Sequence, residues 1–373
     1  MVIAINPDYG SVIIDPDYGP NGDRSSPRWA ELLLRADHEV RWVDVYKADI
    51  LEQLAGCDGF MWRHAHHSGM WHIARRLLPV LERELKLAVY PDQTTCWHYD
   101  DKIAQTYLFQ ALGVPTPRNW VWFDRDAAHA WAQEAEYPMV LKLWSGAQSA
   151  FVRLVTSRDE AARWIARLFS DGVYDLSDRS VCRLGWRRRV RVAVTAALLG
   201  RTMAPPELGW DLHKNYVYFQ EFIPGNDWDT RITVIGNRAF GFRRMNRAND
   251  FRASGSGHSD WDPKCVDVES VKLGFWVARR LRTQSIALDI LRRGNERVVT
   301  EISYTYASWG VQRCPGHWEL EGDPATGTLV WCGGRMWPEE AQVADFLERL
   351  EQRKAADGAT TSASLSEHAE HSR

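Results

Sequence analysis

Two acids and a lysine carry the strongest chemical signal in this chain. Asp289 and Glu301 flank the turn residues Gly294-Asn295, inside the apolar runs Ile286–Leu291 and Val298–Tyr304. If the hairpin turns about Asn295, the two carboxylates face each other across the strand pair. Like charges directly opposite repel. The arrangement therefore suits either two carboxylates splayed into water or a pair bridged by a cation. Ser303 lies two residues beyond Glu301, on the same strand face. Hard oxygen donors at this spacing suit Mg2+ held together with substrate phosphates. Lys142 sits late in the apolar run Met139–Leu143, where burying an unpaired charge is costly. The next loop, Ser145-Gly146-Ala147-Gln148-Ser149-Ala150, has mostly small residues that let backbone amides approach an anion. This stretch reads either as a phosphate grip or as an edge lysine whose ammonium snorkels to water.

The elements that must position these residues alternate in type. Strands are expected at Val2–Ile5, Val12–Ile14, Val40–Val45, Gly59–Trp62 and Leu87–Tyr90, with helices at 26–36, Ala48–Leu54 and Trp71–Leu85. Such βαβ alternation implies a small parallel α/β unit over residues 1–92. A helix over Asp100–Leu112 has an acidic start and Gly113 as its stop. Strands Trp120–Phe123, Met139–Leu143 and Phe151–Val155 follow, with helices Ala127–Glu136 and Asp159–Phe169 among them. Beyond the basic run 187–191, which reads as a solvated helix face, strands return at Val217–Ile223 and Arg231–Ile235. A helix at Val271–Leu281 precedes the acidic hairpin. Residues 351–373 have no aromatic side chain and read as a disordered tail.

In this order the pieces resemble the ATP-grasp superfamily, most closely its RimK-like carboxylate–amine ligases. The resemblance covers about residues 90–305. It rests on Asp101-Lys102 with Leu112-Gly113-Val114-Pro115-Thr116-Pro117, on Val140-Leu141-Lys142-Leu143 with Gly146-Ala147-Gln148, and on Gln220-Glu221-Phe222-Ile223. It continues through Asp229-Thr230-Arg231, Arg244 with Asp250-Phe251-Arg252, Asp289-Ile290-Leu291 and Glu301-Ile302-Ser303. The resemblance implies an N-terminal Rossmann-like domain (1–92). An ATP-grasp fold of two α+β subdomains (93–225 and 226–350) would follow. It implies that Lys102, Lys142, Gly146 and Gln148 contact ATP phosphates. Gln220, Glu221, Phe222 and Ile223 would read adenine, and Asp229 the ribose. Arg231 and Arg244 would face the transferring phosphate, while Asp289, Glu301 and Ser303 would hold Mg2+. Ser303 departs from the family's usual Asn, which weakens the case for a second metal.

The implied function is ATP- and Mg2+-dependent ligation: a carboxylate of an amino acid, peptide or uronic-acid glycan becomes an acyl phosphate and joins an amine. A phosphotransferase on the same fold and a non-catalytic nucleotide-binding module are the alternatives. The family's frequent dimers and tetramers make a homo-oligomer an expectation too.

Composition narrows the rest. The 46 basic and 49 acidic residues leave a net charge of −3, which argues against a general nucleic-acid binder. Only eight of the basic residues are lysines, so each one is informative. No apolar run approaches the ~20 residues of a membrane helix. Six scattered cysteines without a CxxC pair suit a reduced, cytoplasmic chain. His64, His66, His67 and His72 form the densest histidine cluster, readable as surface residues, an acceptor contact or a transition-metal site. The aromatic segment from Tyr304 to Trp318 reads equally as core or as a stacking platform. Cys314 reads as structural, and Ser254-Gly255-Ser256-Gly257 as a flexible loop over a site.

Overall fold

The structure is a computed structural model and describes residues 1–8, 24–65, 68–146, 151–174, 212–247, 250–253 and 257–370. The expected strand Val12–Ile14 and the basic run 187–191 lie outside them. So do His66, His67, Gln148 and residues 254–256.

The N-terminal unit is a parallel sheet of β1 (Val2–Ile5), β2 (Glu39–Trp42), β3 (Gly59–Met61) and β4 (Ala88–Tyr90), in the order β2-β1-β3-β4. Side chains alternate between its faces. Ala4, Phe60 and Val89 pack on Met70, Ala74 and Leu78 of helix α3 (Ser68–Arg83). Ile3, Ile5 and Met61 face Trp29 and Leu33 of α1 (Ser25–Arg35). Helix α2 (Ile50–Gln53) links β2 to β3.

Two short helices, α4 (Gln93–Cys96) and α5 (Lys102–Leu112), lead into an antiparallel sheet. It contains β5 (Asn119–Trp122), β6 (Met139–Lys142), β7 (Arg153–Val155) and β10 (Val217–Glu221), in the order β5-β10-β6-β7. Helices α6 (Arg125–Glu134) and α7 (Arg158–Phe169) cover one face through Ala128, Ala132, Ala161 and Ile165. Their caps are side-chain oxygens: Asp124 accepts from Ala127 N and Ser157 from Glu160 N, satisfying otherwise orphaned first-turn donors. A small pair, β8 (Val173–Tyr174) with β9 (Leu212–His213), lies beside this sheet in sequence.

The third sheet is the largest. Its order is β15-β14-β11-β12-β16-β17, with β13 (Ser259–Asp260) paired to β12. The strands are β11 (Trp228–Ile235), β12 (Arg238–Met245), β14 (Ser285–Arg293), β15 (Glu296–Ser303), β16 (Gly316–Glu321) and β17 (Thr328–Gly333). Helix α8 (Val268–Leu281) packs on it through Val271, Phe275 and Ala278. Gly274 makes the approach close: a Cβ there would lie 2.6 Å from Ile232 Cγ2. The short α9 (Ser308–Gln312) precedes β16. None of the described helices is long and apolar enough to cross a membrane.

The last helix departs from expectation. Helix α10 runs from Pro338 to Glu370, so residues 351–370 continue a helix where a disordered tail was expected. The segment holds no proline and several alanines, and alanine is the best helix former. Its first half returns to the N-terminal sheet. Val343, Phe346 and Leu350 join Ile3, Ile5 and Met61 in one core, and Trp29 Nε1 donates to Gln342 Oε1 at 2.9 Å. Glu339, fully buried, accepts from Ser25 Oγ at 2.7 Å and from Ser308 Oγ at 2.6 Å.

Phe346 is 2% exposed, so Phe346→Ala is expected to cost about 3–5 kcal/mol in urea unfolding. Gln352→Ala, exposed on the same helix, should stay within about 0.5 kcal/mol. Equal unfolding midpoints for the two variants would separate the helix from this core.

Candidate active site

Asp101 caps α5 by accepting from Ala104 N at 2.8 Å, which sets Lys102 in the first turn. Lys102 is buried. Its Nζ donates to Gly146 O at 2.9 Å and lies 3.2 Å from Glu301 Oε1 and 3.7 Å from Asp100 Oδ1. Asp100 Oδ1 also accepts from Gly146 N at 3.0 Å. One lysine–aspartate pair thus grips the start of the small-residue loop by both its amide and its carbonyl. Gln105 fixes the register of α5 on β15: its Nε2 donates to Ile302 O at 2.9 Å, and its Oε1 accepts from Ile302 N at 3.2 Å. Burial opposes the Lys102 ammonium, yet the Glu301 and Asp100 carboxylates outweigh it and raise its pKa.

Lys142 ends β6, opposite Tyr218 of β10. It is buried too, and its ammonium has no hydrogen bond or ion pair among the described residues. Burial lowers its pKa to about 8 from the ordinary 10.5, with Glu301 opposing that fall and Lys102 adding to it.

The acidic hairpin pairs Asp289 with Glu301 as the spacing suggested, by a different route. Arg293 pairs with Glu296, so the turn is Gly294-Asn295 and not centred on Asn295. That register alone would set Asp289 opposite Thr300. A bulge after Asp289 restores the Glu301 partner, and Thr300 Oγ1 donates to Asp289 O at 3.0 Å. Across the sheet, Asp289 pairs with Arg231 and Asp229 with Arg244. Arg231 donates to Asp289 through Nε at 2.8 Å and Nη2 at 2.9 Å. Arg244 reaches Asp229 through Nε at 2.7 Å and Nη2 at 2.5 Å, and its Nη2 lies 2.7 Å from Asp289 Oδ2. Burial would raise the Asp289 pKa, but the two guanidiniums outweigh it and hold the carboxyl well below its usual range. For Asp229 burial wins over Arg244, and its pKa is raised.

The end of β10 supplies the remaining wall. Gln220 Nε2 donates to Asn119 Oδ1 at 2.8 Å, which also accepts from Tyr218 OH at 2.8 Å. Glu221 Oε2 accepts from Arg118 N at 2.9 Å and Arg293 Nη1 at 3.0 Å. Phe222 meets Phe251 edge-on at 5.6 Å. Every described candidate, from Lys102 to Ser303 and including Gly146, Gln220, Glu221, Phe222, Ile223 and Asp229, lines one cavity of about 860 Å3. The Asp229 carboxylate there is taken up by Arg244, and Ser303 Oγ donates to Thr305 O at 2.6 Å.

Arg63, Tyr99 and Asp100, which carried no functional reading from the sequence, share the cavity, as do Tyr306 and Trp309 of the aromatic segment. Arg63 was findable, because it follows β3 at the strand's C-terminal end, where α/β folds place ligands. Its Nη2 donates to Tyr306 O at 2.8 Å. His64 instead packs among Trp62, Tyr99 and Tyr304. Burial lowers its pKa to about 3, so it acts as a neutral ring in the core. His72 is exposed. Tyr304 and Tyr306 are core, Trp309 faces the cavity, and Trp318 packs on Trp331. Cys314 is buried and its thiol is pushed up to about 12 by that burial.

No family model matches the chain. It is 23% identical over 211 residues to the alpha-aminoadipate–LysW ligase LysX of Saccharolobus solfataricus, a match spanning 56% of this chain and 62% of that protein, under two thirds of its length. Among solved structures it resembles a RimK domain ATP-grasp protein from Sphaerobacter thermophilus. There the TM-score is 0.51 at 16% identity, covering 93% of this chain and 99% of the other. The D-cycloserine synthetase DcsG gives a TM-score of 0.53 at 14% identity, covering 94% and 100%. The fold is therefore ATP-grasp, and the chain is similar to RimK-like members of that superfamily.

Lys142 generates a test that needs no ligand. Its folded pKa lies below the ordinary value, so the folded chain binds that proton less tightly than the unfolded chain. Stability from this group rises between about pH 8 and 10.5. Lys142→Met is expected to raise the thermal midpoint at pH 7, by up to about 3 kcal/mol in stability. It should also remove the extra rise that the wild type shows above pH 8. A variant less stable than wild type at pH 7 would mean that the ammonium is well solvated or paired.

Proposed function

We propose that this chain is an ATP- and Mg2+-dependent ligase that activates a carboxylate as an acyl phosphate and joins it to an amine. One observation carries the reading: Lys102, Lys142, Arg231 and Arg244 converge with Asp289 and Glu301 on one cavity between two sheets. Phosphoryl transfer depends mainly on positioning and charge stabilisation, and these residue types supply both.

The Lys142 ammonium, buried and unpartnered among the described residues, fits a polyphosphate that would take up its charge. Lys102 steadies the adjoining loop and reaches the same phosphates. Glu221, Gln220 and the backbone at Phe222 and Ile223 form the adenine wall. The paired oxygens of Asp289 and Glu301 fit Mg2+ as hard donors, and a bound Mg2+ would neutralise phosphate charge. Ser303, whose hydroxyl is spent on Thr305, contributes less to that site. Arg231 and Arg244 keep Asp289 ionised, the form a cation requires, and present guanidinium edges to the transferring phosphate.

The carboxylate substrate forms an O–P bond to the terminal phosphorus as the bond to ADP breaks. The amine then forms a C–N bond to the acyl carbon, phosphate leaves with the acyl C–O electron pair, and the nitrogen loses a proton. Arg63, at the cavity end formed by the N-terminal sheet, is suited to hold an anionic acceptor group. Amino acids, peptides and uronic-acid glycans are the classes to offer. The relative named for α-aminoadipate puts amino dicarboxylates first among them.

An ADP-release screen across these classes, with product masses, is the test. Release that requires both an acid and an amine, with an amide product, is expected, and Glu301→Ala and Lys142→Ala should each lower it at least about 100-fold. A phosphorylated acceptor would make the chain a phosphotransferase. Unaltered turnover in both variants would remove these residues from the chemistry.

A further inference from the structure

We propose that His317, Glu319 and Cys332 form a zinc site on the β16–β17 hairpin, apart from the nucleotide cavity. His317 and Cys332 are directly paired across the two strands, so their side chains leave the same face. Glu319 follows His317 by two residues and shares that face. One ring nitrogen, one carboxylate oxygen and the thiol sulfur all lie within 4.8 Å of one another. His317 Nε2 is already 3.3 Å from Glu319 Oε1, close to the ~3.4 Å edge expected of two N/O ligands around tetrahedral zinc. Bringing Cys332 Sγ to the same centre takes a side-chain rotation on a largely exposed edge strand.

The donor set decides the metal. Imidazole, carboxylate and thiolate together suit Zn2+, whereas Mg2+ and Ca2+ favour oxygen alone. Thiolate and carboxylate offset the ion's two charges. Three protein ligands leave a fourth position for water, and both Glu319 and Cys332 are partly exposed. His317 is 6% exposed and packs against Phe240. Its Nδ1 is buried without a hydrogen-bond partner, and the Cys332 thiol also has none among the described residues. Arg238 Nε, 3.6 Å from Glu319 Oε1, is the cation the carboxylate meets from β12. With the metal bound it becomes the outer partner that orients this ligand.

Binding is a coordination step: the Cys332 S–H proton goes to solvent and sulfur donates a lone pair to the metal, so affinity rises with pH. Strand β17 pairs only with β16 among the described strands. A metal across the two would hold that edge in register, close to the α9 segment that brings Trp309 to the cavity.

The test is Co2+ titration of the metal-stripped, reduced full-length chain, followed by Zn2+ displacement. A thiolate-to-cobalt charge-transfer band with tetrahedral d–d bands is expected, lost in Cys332→Ser and at least tenfold weaker in His317→Gln. Stripped Cys332→Ser should melt with the stripped wild type. Independently of any variant, Zn2+ should slow alkylation of Cys332 at least tenfold by peptide mass spectrometry. Binding that lacks the charge-transfer band, or alkylation of Cys332 unaffected by Zn2+, would overturn the site and place any bound cation on the Asp289–Glu301 oxygens.

Discussion

Burying ions is the constraint on which the third sheet is built. Arg231, Arg244, Asp229 and Asp289 stand on one face of β11, β12 and β14, each largely removed from water. A lone buried charge costs several kcal/mol, and removing one partner of a buried pair typically costs 3–5 kcal/mol. The four are tolerable only while each carboxylate meets its guanidiniums at bonding distance. That requirement locks the register of three strands at once. A one-residue slip of any of these strands would turn its own charges to the opposite face, away from their partners. The bulge after Asp289 belongs to the same constraint, since it brings Glu301 of β15 opposite Asp289 and within reach of Lys102. The same network that makes the cavity polar also makes its walls rigid.

Arginine and lysine are used differently here. The arginines form bidentate forks onto carboxylates, a planar match that lysine cannot reproduce. The two cavity lysines are point charges at a loop, Lys102 fully engaged and Lys142 held in reserve. In a chain with eight lysines, two fall on this cavity. The near-neutral total charge hides a strongly patterned interior.

Much of the site was legible because its signals are local. The acidic start of the helix that carries Lys102, Gly113 as its stop and Lys142 late in an apolar run can each be read within a few residues. The facing of Asp289 and Glu301 was legible as well, although it was inferred from a symmetric turn and is achieved by a tight turn plus a bulge. What could not be read depends on partners far away in sequence. Arg244 was named by resemblance, but the strand β12 that carries it was not expected, and its place shows only when Asp229 and Asp289 are set beside it. Strands β16 and β17, six residues each, mix apolar and polar side chains without a clean alternation. Their pairing shows only when the hairpin closes. The return of α10 was the one long-range feature with an available sign, since Val343, Phe346 and Leu350 recur at helical spacing. The polar, alanine-bearing stretch after it was misjudged because the absence of an apolar face argues against a core, not against a helix.

That returning helix also bears on how the chain is made. The first ninety residues supply a complete sheet and the helices for one of its faces. The other face stays partly uncovered until Val343, Phe346 and Leu350 emerge from the ribosome. Domains usually fold in the order of synthesis. In this chain the parallel sheet is translated about 250 residues ahead of the segment that closes its core, and it carries an exposed apolar surface over that interval. A translational pause or a truncating lesion ahead of Val343 would therefore injure the parallel sheet, far upstream of the lesion itself.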